Sequence, residues 1–362
     1  MCIIMNVFFS EPPPEHVEGG IDLAMSMLET HLEHAGIPLQ RNLSASNLDR
    51  VNPDTDVVHF HGLWQLDQTW ASFRCRRLGI PYIVSPHGML EPWAWNHKRW
   101  KKQPFYRLFE RAHLNGANAV LATSELEAQN LRDFVEASLV KPIPLALPVD
   151  VTPDYDAARC ELDWAEDETV LVYLSRIHKK KGLHLLLKAL ALLNDMPDKT
   201  RLVVVGDGPN DYLDRLHRII DTRAASLPPV EWTGSVWGEQ KWRYLQGADL
   251  FCLPTHSENF GLVVLEASQV GTPVLTTDQT PWKFLEDWGA GIITEPRIEA
   301  IRNGLEQFFS SFSWDIAARS HFAKRTREHF DLSVVGPQYV EVYRTASNAE
   351  MPTSIPPPSS LH

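Results

Sequence analysis

Cysteine is scarce and scattered in this sequence. Its four cysteines, Cys2, Cys75, Cys160 and Cys252, form no C-x-x-C pair in 362 residues. That spacing argues against a disulfide-stapled secreted scaffold or a cysteine zinc framework, and suits reduced thiols in a cytosol. Long apolar runs are missing as well: no stretch reaches the roughly 18 uninterrupted apolar residues of a membrane span. The first nine residues have neither a basic n-region nor a small-residue cleavage site, so they read as a strand rather than a signal peptide. Positive charge is in deficit, with 34 Lys and Arg against 46 Asp and Glu, a formal charge of −12. A duplex nucleic-acid binder acting through whole-surface charge does not fit, although a local basic patch is not excluded. Compositional bias is also absent. A hydrophobic share of 44% and a charged share of 22% are ordinary globular values, which excludes a disordered or fibrous chain. At about 150 residues per domain the length implies roughly two domains, each able to bury a core without metals or disulfides.

What is present is alternation. Short β-branched runs at 57–60, 81–84 and 118–122 alternate with helical patterns at 22–34 and 124–134. Ser124 with Glu127 three residues on predicts a capping box. After about residue 150 the pattern restarts, with strands at 169–174, 202–206, 230–233, 250–253 and 273–276 and a helix at 182–193. Such βα alternation predicts parallel sheets covered by helices. Proline-rich 141–156 reads as the linker between the two halves. Residues 314–330 and 336–346 read as helices, and the Pro- and Ser-rich 351–362 as a disordered tail.

The most informative string runs from Ser257 to Ala267. Glu258 falls in a loop after the strand 250–253, and Glu266 two turns into the next helix on an apolar face. A buried carboxylate there needs polar partners, and a ribose diol offers two hydroxyls. Asn259, Phe260 and Gly261 sit where backbone N–H groups open a helix, a place suited to hydroxyl or phosphate oxygens. A second string, Tyr173 to Gly182, also joins a strand to a helix. Its Arg176 and Lys181 can neutralise a diphosphate at the positive end of that helix, whereas Lys179 and Lys180 read as solvated. Gly206 and Gly208 end the next strand, without the third glycine of a dinucleotide fingerprint. In the first half, Gly19 and Gly20 precede a helix after the prolines Pro12, Pro13 and Pro14, and let backbone approach a phosphate. His87, beside Gly88, closes a strand at its carboxyl end, where ligands bind in open α/β sheets.

These strings resemble the retaining glycosyltransferases of family 4. The family pattern E-x-F-G-L-x-x-x-E-A followed by G-x-P-V is matched by Glu258, Phe260, Gly261, Leu262, Glu266 and Ala267, then Gly271, Pro273 and Val274. The chain departs from the pattern in having Asn259 and Ser175 where glycine is usual. The resemblance implies a GT-B fold: α/β, two Rossmann-like domains facing each other across a deep cleft. Residues 1–148 would form the acceptor domain and 149–330 the donor domain. A helix, 331–347, would return to the first domain, and 348–362 would be tail. It implies that Glu258 and His87 meet the donor sugar, Glu266 the ribose, and Arg176 and Lys181 the diphosphate. Gly206 and Gly208 would line the nucleotide cleft, Ser235 and Val236 would read the base through backbone, and Gly19 and Gly20 would lie on the acceptor side. The implied partners are a nucleotide-sugar donor, UDP-linked or GDP-mannose, and a saccharide or lipid-linked acceptor in polysaccharide or glycolipid synthesis. No cofactor and no metal are implied.

Other strings point elsewhere. The D-x-D pairs Asp54/Asp56 and Asp154/Asp156 lie before a strand and in the linker, the wrong places for a metal site. His59 and His61 have strand spacing that places two imidazoles on one face, with no third ligand evident. Residues 93–111 mix tryptophans with Lys98, Arg99, Lys101, Lys102, Arg107 and Arg111. A basic aromatic helix of that kind suits an anionic membrane surface or a lipid pyrophosphate. The expectation is a cytoplasmic enzyme, peripheral on the inner face of the membrane. The rival readings are a nucleotide-sugar epimerase of the same fold and a non-catalytic sugar-nucleotide-binding relative. A dehydrogenase is disfavoured because neither half has G-x-G-x-x-G after a strand.

Overall fold

The computed structural model describes residues 5–12, 20–147, 151–312 and 314–348. Two compact units result. The first holds the described residues up to Leu147 and again from Phe330 onward; the second holds those between. Gly19, most of the first strand segment's start and the 351–362 tail lie outside the described residues.

The first unit is built on a six-stranded parallel sheet: β1 (Val7–Ser10), β2 (Leu39–Gln40), β3 (Val57–His61), β4 (Tyr82–Ser85), β5 (Ala119–Ala122) and β6 (Val140–Pro142), in the order β2-β1-β3-β4-β5-β6. The strands β1, β3, β4 and β5 are buried at every position. Their continuous apolar runs therefore follow from having both faces covered. One face packs against helix Gly20–His34 and helix Leu332–Asn348, through Met25, Leu28, Leu32, Val335, Tyr339 and Tyr343. The other packs against Leu48, Ala71, Cys75, Leu114 and Leu131.

The second unit repeats the plan with β7 (Thr169–Leu174), β8 (Thr200–Val205), β9 (Val230–Gly234), β10 (Leu250–Leu253), β11 (Val274–Thr277) and β12 (Gly291–Thr294), in the order β12-β11-β10-β7-β8-β9. In both sheets the strand order reverses once, between β1 and β3 and between β7 and β10. At such a point the connections leave in opposite directions, and a crevice opens at the strand carboxyl ends.

Three readings are corrected. The 141–156 stretch is not all linker, since β6 uses its first residues and Asp154 caps helix Tyr155–Glu161 by accepting from Ala157 N–H at 3.0 Å. Proline at the exposed end of an edge strand, Pro142, loses no ladder bond, so proline richness misled. Ser124 does cap helix Glu125–Leu131, but the Glu127 carboxylate reaches back to Thr123 N–H (2.7 Å) and Gly88 N–H (2.8 Å), linking β5 to the turn after β4. The 93–111 stretch is not one helix. It breaks into Pro92–Asn96, Arg99–Phe105, a π turn at Tyr106–Glu110 and Arg111–Asn115, with Lys98 left-handed at φ 55°.

Two of the D-x-D aspartates, Asp154 and Asp56, have plain structural uses. Asp56 is buried and accepts from Asn6 N–H (3.1 Å), the Asn6 amide (2.9 Å) and Asn52 N–H (2.9 Å), tying the start of β3 to that of β1. The returning helix is held by a polar contact inside its apolar face. The Tyr343 hydroxyl lies 2.6 Å from His59 Nδ1, both side chains being fully enclosed. Tyr343→Phe leaves that imidazole nitrogen without its partner and should destabilise the first unit by about 1–3 kcal/mol. Urea unfolding followed by histidine or tyrosine signals of this unit checks it; an unchanged midpoint would mean the contact anchors nothing.

Candidate active site

In the second unit the loops after β7 and β10 flank the strand-order reversal, and they carry the residues singled out from the sequence. The β7 loop carries the exposed Arg176 and ends in the short turn Lys179–Lys181, after which Gly182 (φ 77°) opens helix Leu183–Leu190. Only glycine fits at 182, because a Cβ there would lie 1.8 Å from the Pro254 carbonyl oxygen. That close approach locks the two loops together. His256 N–H and the Thr255 hydroxyl both donate to the Lys180 carbonyl, at 2.7 and 3.0 Å.

Across this contact, Lys181 Nζ meets Glu258 Oε1 at 2.5 Å. Glu258 is buried and Lys181 half-buried, so the pair is a charge-assisted bond partly withdrawn from water. The two residues were named from separate motifs; the structure makes them one unit. The chain then runs through Asn259 and the buried Phe260 to Gly261, whose left-handed φ of 80° starts helix Leu262–Gln269. Phe260 is a packing residue in this loop. Its ring lies against Trp282, and its carbonyl accepts from the Trp282 indole N–H.

Glu266 lies one turn into that helix and is buried, as its apolar surroundings require. Its carboxylate pairs with Lys241 Nζ at 2.7 Å, from helix Gly238–Gly247. Burial raises the Glu266 pKa above the usual carboxylate range, and Lys241 pulls against that rise. Sequence reading missed Lys241. It stands four residues beyond Trp237 in no motif, and only packing of the two helices brings it to Glu266.

The remaining second-unit residues fall on neighbouring loops. Gly206 and Gly208 follow β8 and press against the β7 loop, where a Cβ at either would come within 2.0 Å of the Ser175 or Ile177 carbonyl oxygen. Ile177 N–H donates to the Asp207 carbonyl at 2.8 Å, and Gly206 N–H to the Gly234 carbonyl at 2.8 Å. That chain of contacts carries the rim on to Ser235 and Val236 after β9, where Ser235 is exposed. Four loops at strand carboxyl ends thus bring cations, two buried carboxylates and closely approaching glycine backbone to one rim. Such a set can bind an anion together with hydroxyl groups.

In the first unit His87 follows β4 with φ 51°, beside Gly88 at φ 73°. The turn is fixed by the Glu127 bond to Gly88 N–H and by Met89 N–H to the Pro86 carbonyl at 3.1 Å. His87 is half-buried, and its Nε2 lies 3.0 Å from His61 Nδ1. Burial lowers the His87 pKa to about 4, so the ring is neutral at ordinary pH. His59 and His61 do lie together, ring centroids 4.0 Å apart, at the carboxyl end of β3. Among the described residues no cluster of three or more His, Cys, Asp or Glu is placed to hold a metal. Gly20 is exposed and begins helix Gly20–His34; Gly19 lies outside the described residues.

The raised Glu266 pKa fixes the sign of a stability test. An acid whose folded pKa exceeds its unfolded value favours folding when protonated, so its carboxylate costs stability as pH rises through the folded pKa. Glu266→Gln should therefore melt higher than the wild type at alkaline pH, and the gap should close as pH falls and Glu266 takes up its proton. A melting temperature lowered at all pH values would show that the Lys241 pair outweighs desolvation.

Comparison with known proteins follows the same division. Residues 154–329 match the model of the glycosyl transferases group 1, and residues 31–146 that of a glycosyl transferase 4-like domain. The chain is 30% identical over 328 residues to a D-inositol 3-phosphate glycosyltransferase of Jonesia denitrificans, covering 77% of this chain and 73% of that relative. It is 30% identical over 240 residues to a protein of the same description from Nocardioides sp., covering 61% of this chain and 52% of the relative, so here the chain spans about half the relative's length. The crystal structure of HepE from Anabaena in complex with UDP and glucose superimposes with a TM-score of 0.71 at 19% identity, over 94% of this chain and all of that one, a likeness of fold. Two parallel six-stranded Rossmann-like sheets, the two family matches and the Jonesia relative together show that the chain belongs to the group 1 glycosyltransferases of family 4, with the GT-B fold.

Proposed function

We propose that the protein is a retaining, metal-independent hexosyltransferase that moves a sugar from a nucleoside-diphosphate sugar to an acceptor hydroxyl. The observation that carries the reading is the Lys181–Glu258 pair set in a basic loop beside the buried Glu266. A nucleoside-diphosphate sugar presents a ribose diol, two phosphates and a ring of hydroxyls, and the rim offers a group for each. Glu266 accepts from the ribose hydroxyls. Arg176 and Lys181 bear on the diphosphate, Glu258 orients the sugar, and backbone about Ser235 and Val236 reads the base. HepE, with UDP and glucose bound, supports a UDP-linked donor. The Jonesia relative, described as a D-inositol 3-phosphate glycosyltransferase, supports a hydroxyl acceptor.

In this reading the bond between the anomeric carbon and the diphosphate oxygen breaks, and the diphosphate leaves with the bonding pair. The acceptor oxygen bonds to the same face of the anomeric carbon, and its proton passes to the departing diphosphate. Arg176 and Lys181 stabilise the negative charge that grows on the leaving group, which is the term cations supply best in a partly desolvated site. No side chain need act as general base. The family resemblance gives His87, at the carboxyl end of β4, a contact with the donor sugar.

Lys181→Ala should lower turnover of UDP-glucose by about a hundredfold with a smaller effect on UDP affinity. Glu266→Ala should weaken UDP binding by about thirtyfold, on the order of 2 kcal/mol for lost charged hydrogen bonds. Calorimetry with UDP and stopped assays of released UDP separate the two, and a wild-type rate for Lys181→Ala would sink the assignment. Turnover should survive EDTA, and proton NMR of the product should show the donor's anomeric configuration. Epimerised donor formed without acceptor would favour the epimerase instead.

The same proposal places the enzyme at an anionic membrane surface through 93–111. Trp100 and Leu108 are exposed at 72% and 71%, with Lys98, Arg99, Lys101 and Arg107 around them. Trp95, by contrast, is buried against Tyr106 and Phe134. No helix among the described residues is long and apolar enough to cross a membrane. Exposed aromatic and aliphatic groups among exposed cations of one stretch of chain suit adsorption to anionic lipid. The protein should co-sediment with phosphatidylglycerol vesicles at low salt and lose that binding in Trp100→Ala/Leu108→Ala; absence of binding at low salt would refute the placement.

A further inference from the structure

His59, His61 and His87 make a histidine cluster at the carboxyl ends of β3 and β4, and His61 alone of the three has been given no task. His59 is spoken for at both nitrogens, by Tyr343 at Nδ1 and by the Ser85 hydroxyl at Nε2, 2.8 Å away. His61 is fully enclosed, with the Phe9 ring against it at 4.4 Å. Its Nδ1 lies 3.0 Å from His87 Nε2, and its own Nε2 is sealed from solvent with no polar partner among the described residues. Burial, aided by the nearby positive charge of Arg41, keeps His61 neutral, so it carries one proton. Two arrangements are then possible. With the proton on Nε2, a buried N–H donor is left unmet. With it on Nδ1, the proton is shared with His87 and only an acceptor lone pair is left over. Orphaned buried N–H groups are the rarer and costlier case, which selects the second arrangement.

We propose that His61 is a positioning residue whose Nδ1–H donates to Nε2 of His87, holding His87 in the tautomer with its proton on Nδ1. The turn carrying His87 is already fixed by Glu127, and the two ring planes lie within 17° of each other with centroids 5.3 Å apart, an edge-to-edge approach suited to an N–H···N bond. No described residue hydrogen-bonds the other nitrogen of His87. That nitrogen then offers a donor N–H, and never a lone pair, to a ligand. Resting on the reading of His87 as a sugar contact, this makes His87 a donor to a hydroxyl or ring oxygen of the sugar and denies it the part of general base through its open nitrogen. A histidine free in water favours the opposite tautomer, so the assignment departs from the default.

The test uses the full chain with isotope-labelled histidine nitrogens, read by long-range proton–nitrogen correlation at neutral pH. His87 is assigned by the signals lost in His87→Gln. The expected result is an Nδ1–H tautomer for both His61 and His87. His61→Asn, whose amide donates from near the Nδ1 position, should preserve the His87 tautomer. His61→Leu, similar in bulk without a donor, should release it toward Nε2–H. A stability effect alone would not follow donor capacity in this way. An Nε2–H tautomer for His87 in the wild type, or an unchanged tautomer in a folded His61→Leu, overturns the proposal. If the tautomer is confirmed but His87→Ala turns over UDP-glucose at the wild-type rate, the sugar-contact reading fails and takes the donor role with it.

Discussion

The ion pair between Lys181 and Glu258 joins two loops that leave neighbouring strands in opposite directions. Without it, the point of reversal between β7 and β10 would be a gap edged by a cluster of like charges: Arg176, Lys179, Lys180 and Lys181 share one short loop. The pair sets a carboxylate into that field and fixes where both groups point. The backbone is shaped to allow it, since Gly182 lets the Pro254 carbonyl pass where any side chain would collide. The rim beyond, from Gly206 and Gly208 to Ser235, is held by the same device of glycine backbone against carbonyl oxygen. Rigid placement of a few charged groups on a preformed rim is what electrostatic stabilisation of a leaving group demands.

A second carboxylate shows the cost of such placement. Glu266 is driven up in pKa by its burial, and Lys241 returns only part of the lost solvation. In the proposed function the ribose hydroxyls would add hydrogen bonds to this acid, the usual trade of stability for function. Asp56, by contrast, is equally buried but fully engaged with Asn6 and Asn52. The two acids differ in their partners: Glu266 is paired with a lysine side chain, Asp56 with backbone and side-chain amide groups. The histidines of the first unit also differ in their partners: His59 is satisfied at both nitrogens, whereas His61 and His87 share a single contact.

Much of this was legible in the sequence because it is local. Strand and helix periods, the glycine and proline punctuation, and the string from Glu258 to Ala267 depend on residues close in the chain, and the βα alternation limits the topology to parallel sheets. Family membership followed from those strings. The failures came where distant segments meet. Pro142 was read as linker because an edge strand that tolerates proline cannot be told from a turn without its neighbour β5. Glu127 was read only as a local cap partner, which it is through Ser124, because its added contact with Gly88 is 39 residues away. Residues 93–111 were read as one helix because charge and aromatic content do not reveal the left-handed Lys98.

The sequence by itself determined the fold class and the chemical character of the loops, since hydrophobic period and residue type act over one or two turns. Only the tertiary structure decided pairing: Lys181 with Glu258, Lys241 with Glu266, His61 with His87. Each pair joins segments separated by 25 or more residues. Nothing in local sequence encodes such a meeting. It is set by the order of strands in the sheet, which the burial of both faces and the reversal of the crossover connections impose on the chain as a whole.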